Sequence, residues 1–262
     1  MPFSNKIFSL IPRNPKIYNF CKGYIDKYNG DNNDNIHTNG ELRFMKRNLG
    51  KCNVIFDIGA HFGHWTKLAL KINRNLNIHC FEPSSYSFKK LINNNFPNNV
   101  ICNNFGLSSS KGEKTLYIFE NGSGLNSLYL RYGLEKVLGR KIKQREEKIK
   151  VETLENYCLE RKIEKIDFVK IDVEGHELEV LKGGINFFKN KQIRIIQFEY
   201  GGCNIDAHIF LMDIFNFFKG MDYNFYKIYP DHIKFIKRYE TRFDNFQYQN
   251  WLIIKKNYKY IP

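Results

Sequence analysis

Val54-Ile55-Phe56-Asp57-Ile58-Gly59-Ala60-His61-Phe62-Gly63-His64-Trp65-Thr66 is the stretch that decides the fold. A short apolar run surrounds an aspartate, a glycine turn follows, and Trp65, Leu68, Ala69 and Ile72 then recur at helical spacing. This pattern predicts a buried strand, a tight turn and a helix, the opening unit of a doubly wound α/β domain. Such a turn points backbone N–H groups and a helix N-terminus at whatever lies above the strand ends.

The punctuation narrows the ligand. A dinucleotide fingerprint runs Gly-x-Gly-x-x-Gly, and its middle glycine lets the backbone approach a pyrophosphate. Here Asp57 precedes Gly59, and His61 takes the middle position before Gly63. An acid at that point suits a cation better than a diphosphate. S-adenosylmethionine, with an ammonium and a sulfonium, meets that requirement.

Upstream of this unit, Asn39 is placed to cap a helix over about residues 40–49, which Gly50 ends. Further back, Ile17, Phe20, Cys21, Tyr24, Ile25 and Tyr28 fall on one helical face, with Asn14 and Pro15 supplying cap and first turn. The simplest reading packs this helix on the main domain. A contact between two copies or a membrane-surface role ranks lower, because the polar face is not densely basic.

Downstream, residues 77–81 read as a second strand closed by Glu82-Pro83. Glu82 stands about twenty residues past the glycine turn, where an acid in this architecture accepts hydrogen bonds from ribose hydroxyls. Residues 100–104 form a third strand and 115–119 an extended run. The polar, glycine-rich residues 121–127 have the composition of a substrate-facing flap, and the charged residues 129–150 are expected to be helical. Thr153 caps a short helix with Leu154, Tyr157 and Cys158 inward. A fourth strand over 166–171 leads into Asp172-Val173-Glu174-Gly175-His176-Glu177, and a fifth over 193–198 ends in Glu199. A helix through Phe210, Ile214, Phe217 and Phe218 precedes two closing strands, 223–228 and 251–254. The expected fold is α/β, a Rossmann-like doubly wound sheet, mostly parallel with an antiparallel closing strand. An N-terminal helical extension (1–49) precedes a main domain (50–262), in which 121–150 is a flap or lid insertion.

Composition sets bounds. A chain of 262 residues can bury a sizeable core. It has no 18-residue apolar run and therefore no expected transmembrane segment. No signal-peptide pattern is present, and the six cysteines form no C-x-x-C pair or zinc spacing. They read as small buried hydrophobes in a reducing compartment, which points to the cytoplasm. His61 and His64 are three apart but lack a third ligand, so zinc is not expected. The net charge of +14 invites a nucleic-acid reading, yet the lysines are scattered. The one dense run, Arg140 to Arg145, meets Glu146 and Glu147 at once. No stable nucleic-acid partner is expected; an acidic glycan or an anionic membrane surface is compatible with the same charge.

Four motifs carry a family resemblance: Asp57-Ile58-Gly59-Ala60-His61-Phe62-Gly63, Phe81-Glu82-Pro83, Asn104-Phe105-Gly106-Leu107-Ser108, and Lys170-Ile171-Asp172-Val173-Glu174-Gly175-His176-Glu177. From about Gly40 onward the chain resembles the FkbM-type family of S-adenosylmethionine-dependent methyltransferases. Two positions depart from that family's pattern, His61 for the usual Asn and Gly106 for the usual Ala. The resemblance implies a class I methyltransferase fold, S-adenosylmethionine as cofactor, and O-methyl transfer to a sugar, glycan or glycosylated acceptor. Its cofactor set would be Asp57, Gly59, Ala60, His61, Gly63, Glu82, Asn104 and Asp172. Asp57 and Gly59 would shape the methionine end, Glu82 would hold the ribose and Asn104 would lie near the adenine. Asp172 would line the methyl-transfer chamber, with Glu174 or His176 as general base. No metal ligand is assigned; magnesium on Asp172, Glu174 and Glu199 is compatible with the carboxylates but not expected. Tyr129 or Tyr200 could stack on a sugar ring. The alternative is an RNA methyltransferase, suggested by the charge. A homo-oligomer remains open.

Overall fold

A computed structural model describes residues 12–135, 139–141, 144–190 and 192–262. The opening unit forms as its sequence dictates: β1 (Val54–Ile58), a glycine turn and α3 (His64–Ile72). Two helices come before it, α1 (Pro15–Asn29) and α2 (Glu41–Asn48). After it the chain alternates β2 (Asn77–Phe81), α4 (Ser85–Ile92) and β3 (Val100–Asn103), then forms β4 (Gly106–Leu107), β5 (Gly112–Ile118) and β6 (Arg145–Glu152). The second half runs α5 (Leu154–Arg161), β7 (Ile166–Ile171), α6 (Glu177–Lys182), α7 (Ile185–Lys189) and β8 (Ile193–Tyr200). It ends with α8 (Cys203–Ala207), α9 (Leu211–Phe217), β9 (Tyr223–Ile228), β10 (Ile233–Ile236) and β11 (Gln249–Lys255).

The main sheet has the order β10-β9-β11-β8-β7-β1-β2-β3. β3, β2, β1, β7 and β8 are parallel, and β11 enters antiparallel between β8 and β9. Side chains alternate across this sheet and fill two cores. Ile55, Ile78, Phe168 and Ile195 meet Phe44 of α2, Trp65 and Ala69 of α3 and Leu91 of α4 on one face. Phe56, Phe81, Val169 and Ile196 meet Tyr157 of α5, Leu181 of α6, Phe188 of α7 and Ile214 of α9 on the other. The strand order reverses beside β1, so the ligand crevice of a doubly wound sheet falls over its carboxyl end.

Three expectations need correction. Residues 145–150, expected to be helical, belong to β6, which pairs antiparallel with β5 and parallel with β4 in a second, three-stranded sheet. Ile149 and Val151 supply its apolar side against Leu116 and Ile118, and that small core outweighs the helical propensity of the charged half. The expected lid also spans 136–138 and 142–143, which lie outside the described residues, as do 1–11 of the expected extension. Helix α1 forms, capped by Asn14, but none of its residues is buried, so it does not pack on the domain. Its cysteine, Cys21, is exposed, whereas Cys52, Cys80 and Cys158 are buried; all six thiols are free.

Between α6 and α7, Gly183 lets the helix pair lie against the residue after β4: a Cβ there would stand 2.1 Å from the Ser108 carbonyl oxygen. Gly183→Ala is therefore expected to cost about 1–3 kcal/mol through overpacking. Urea denaturation measures it, and an unchanged midpoint would show that the two segments can separate without loss.

Candidate active site

The turn after β1 is built on two close approaches. Gly59 has φ +84°, and a Cβ on it would lie 1.8 Å from the Asp172 carbonyl oxygen. Gly63 has φ +77° and caps α3, where a Cβ would meet Leu91 and Phe96 at 2.8 Å. The N–H groups of Gly59 and Ala60 both donate to the Phe81 carbonyl, at 2.9 and 3.0 Å, tying the turn to the end of β2. Asp57 is buried beneath it and accepts the Thr66 hydroxyl proton at 2.6 Å. Burial pushes its carboxyl up to about 6, against the pull of that bond. It orders the turn from below and does not border the cavity.

That cavity, of 460 Å³, opens over the carboxyl ends of β1, β2, β7 and β8. Gly59, His61, Glu82, Asp172, Glu174 and His176 all border it, so the structure brings six of the residues singled out from the sequence together. Asn104 is not among them: it is exposed, and its amide donates to the Glu82 and Pro83 carbonyls at 3.0 and 3.2 Å. It fixes the backbone of the Phe-Glu-Pro corner. Glu82 accepts the His61 and Ser84 backbone N–H groups at 2.8 and 2.9 Å, and burial pushes it up to about 7.

A strap over residues 119–131 crosses the cavity from one motif to another. Near its start, His61 Nε2 meets the Gly122 carbonyl at 3.1 Å. At its end, the Ser127 hydroxyl donates to the Glu174 carbonyl at 2.7 Å and Arg131 pairs with the Glu174 carboxylate at 2.8 Å. Glu174 itself has φ +52°. Burial and then the Asp172 charge raise its carboxyl to about 8, with Arg131 opposing. His176 is 4 % exposed; its Nε2 meets the Ser108 hydroxyl and its Nδ1 the Tyr129 hydroxyl, both at 2.9 Å. Burial drives it down to about 4, so the ring is neutral with both nitrogens engaged. Tyr129 is spent on that contact and does not border the cavity, while Tyr200 does, its hydroxyl donating to Asp244 at 2.5 Å. Glu177 accepts from the Val173 and Gly175 N–H groups, which folds the loop after β7 around its carboxylate.

Below the acids lies a cation that the sequence analysis quoted in a motif without giving it a role. Lys170, 3 % exposed, stands 2.7 Å from Glu199, 3.4 Å from Asp172 and 3.9 Å from Glu41. Burial opposes its charge, but the three carboxylates outweigh it and hold the ammonium well above its ordinary value. Its Nζ reaches both Asp172 and Glu199, whose other sides border the cavity. A lysine inside the apolar run 166–171 was the available signal. Glu41, held by Asn39, Gln197 and Asn250, had none, since it lies 129 residues earlier.

Asp34, Glu82, Asp172, Glu174, Glu177 and Glu199 border the cavity, and Arg131 is the one Lys or Arg among its described lining residues. An acidic cavity in a chain of net charge +14 is a specific arrangement. Burial and mutual repulsion raise Glu82, Glu174 and Glu199, a strain that a cationic ligand relieves.

A family model described as "Methyltransferase FkbM domain" matches residues 57–227. The chain belongs to the FkbM methyltransferase family. This FkbM-domain chain is 28% identical over 165 residues to hexuronic acid methyltransferase AglP of Haloferax volcanii, a match covering 61% of the chain and 62% of that relative. The chain thus spans less than two thirds of the relative it matches. Among solved structures it is similar to methyltransferase FkbM of Methylobacillus flagellatus KT (TM-score 0.48, 15% identity), over 77% of this chain and 43% of the other. It is also similar to TrmK of M. capricolum in complex with S-adenosyl-homocysteine (TM-score 0.42, 14% identity), over 83% and 69%. Residues 57–227 thus form an FkbM methyltransferase domain, carried on a mixed and mostly parallel sheet with N-terminal helices.

The donor set fits S-adenosylmethionine, the cofactor that the family implies: carboxylates face a cationic ligand, with apolar Ile58, Phe81 and Leu107 beside them. No helix among the described residues is long and apolar enough to cross a membrane.

Lys170→Met leaves buried Glu41 and the half-buried Asp172 and Glu199 without their cation. It should destabilise the fold by about 3–5 kcal/mol in urea denaturation; a loss below about 1 kcal/mol would mean that the ammonium is dispensable.

Proposed function

We propose that this methyltransferase acts on a hydroxyl of a sugar or glycosylated acceptor, with Glu174 as general base. The observation that carries the reading is Glu174 itself, a cavity-wall carboxylate whose proton affinity is raised to about 8 at the tip of β7. A base of that strength accepts a hydroxyl proton as the oxygen attacks, and its raised value matches working pH. Bound S-adenosylmethionine supplies a methyl group already activated by its sulfonium. The chain's own task is placement and proton removal. Glu82 would hold the ribose, Gly59, Ala60, His61 and Gly63 would shape the floor under the cofactor, and Asp172 would face the transfer site. Asp57 would keep the turn in register through Thr66. His176, neutral and engaged on both sides, would position the strap and not take the proton.

The sugar class draws support from the hexuronic acid methyltransferase to which the chain is similar. The RNA alternative rests on net charge, and the cavity opposes it. A phosphate entering would meet six acidic side chains and one arginine.

Glu174→Gln should lower kcat by about 10²–10⁴-fold while S-adenosylhomocysteine affinity, read by calorimetry, changes less than about threefold. The wild-type kcat/KM, measured with labelled cofactor on a glycoside panel, should rise with pH and level off above about 8, since only the ionised base works. The variant should lose that limb. Equal losses of binding and turnover, or transfer to RNA in preference to glycosides, would overturn the reading.

A further inference from the structure

Among the described residues, helix α1 presents an apolar face that no other element covers. Phe20 and Tyr28 are 76% and 75% exposed, and Ile17, Tyr18, Tyr24 and Ile25 are exposed with them. At about 100° per residue these six positions and Cys21 occupy an arc of roughly 160°. Lys16 and Lys27 border one edge of that arc beside Phe20, and Lys22 borders the other beside Tyr18. Asp26 and Asn19 lie on the opposite side. Residues 1–25 contain Lys6, Arg13, Lys16 and Lys22 and no acid.

The helix is not a loose tail. Gly30 closes it in the left-handed conformation, and the next residue, Asp31, is buried in an ion pair with Lys227 of β9. Asn32 and Tyr248 then exchange two hydrogen bonds, Asn32 N to the Tyr248 carbonyl at 2.9 Å and Tyr248 N to the Asn32 side chain at 3.2 Å. Tyr248 and Asp34 both border the active cavity. A bare apolar face is thus held by a fixed joint, a few residues from the mouth of the site.

We infer that α1 docks the enzyme on an anionic lipid bilayer, lying in the interface with its aromatic face down and its lysines at headgroup level. Tyrosine and phenylalanine on one face, lysines at both borders and an acid only at the far side form the pattern of an in-plane interfacial helix. Lysines in those border positions can extend their ammonium groups to lipid phosphates while their stems cover apolar surface. Pairing with a second copy is the weaker match. In a two-fold contact the same face meets itself, and either edge of α1 would bring lysine toward lysine with no facing acid. Docking would set the cavity mouth beside the bilayer surface.

Co-sedimentation of the full chain with vesicles tests this. The protein should bind vesicles of phosphatidylglycerol and phosphatidylcholine (about 1:3), more weakly as ionic strength rises from about 0.05 to 0.5 M, and bind pure phosphatidylcholine at least about tenfold less. Phe20→Ser/Tyr24→Ser/Tyr28→Ser should lower the partition coefficient by about tenfold or more. It should leave the melting temperature and the S-adenosylhomocysteine affinity unchanged, because none of these side chains touches the core. Lys16→Gln/Lys22→Gln/Lys27→Gln should lower it about tenfold or more on the anionic vesicles alone. Absence of binding to anionic vesicles, or equal binding by wild type and the serine variant, would overturn the inference. So would a wild-type dimer in light scattering that the serine variant abolishes.

Discussion

The tip of β1 and the tip of β7 approach until no side chain fits between them. Gly59 lies against the Asp172 carbonyl so closely that a methyl group there would overlap the oxygen, and its positive φ would strain any other residue as well. This contact fuses two loops that the chain writes more than a hundred residues apart into one floor. The Phe81 carbonyl, taken by two N–H groups of the turn, adds the tip of β2 to the same floor. Asp57 secures it from beneath through Thr66. Groups that must sit within ångströms of a reacting centre are thereby placed on rigid strand ends.

On that floor the electrostatics run against the molecule as a whole. The chain is strongly cationic, the cavity acidic, and the buried ammonium of Lys170 lies under the acids and not among them. Lys170 neutralises part of a charge that would otherwise be costly to bury, and it does so from the sheet side, leaving the open side of Asp172 and Glu199 for a ligand. Arg131 plays a comparable part for Glu174 from the strap. The polar N-terminal segment contributes through Glu41, so α2 is part of the site's support.

The fold was legible because its signals are local. Apolar runs of strand length, glycine at the turn and Thr153 at a helix start each act within a few residues. β6 was missed because its first half, Arg145 to Lys148, is charged and mostly exposed, and only Ile149 and Val151 show the strand alternation. Helix α1 shows a different limit. Periodicity reports that a face is apolar, not that the same chain covers it. The site residues named by motif mostly converge, since motifs sit at strand ends. Asn104 and Asp57 lie one layer away from the cavity, and a motif does not distinguish a wall from its buttress. Glu41, Arg131 and Tyr248 carried no chemical signature; the fold alone delivers them.

The placement of β11 bears on how the molecule is made. Its residues, 249–255, lie beyond the 57–227 stretch that matches the family, yet the strand stands inside the sheet with β8 on one side and β9 on the other. During synthesis β8 and β9 are complete before their common neighbour exists, and each presents an open ladder of backbone groups until it arrives. The sheet therefore closes by insertion of a strand made after both of its neighbours, a non-local step. An emerging polypeptide of this type is at its most adhesive between the completion of β9 and the arrival of β11.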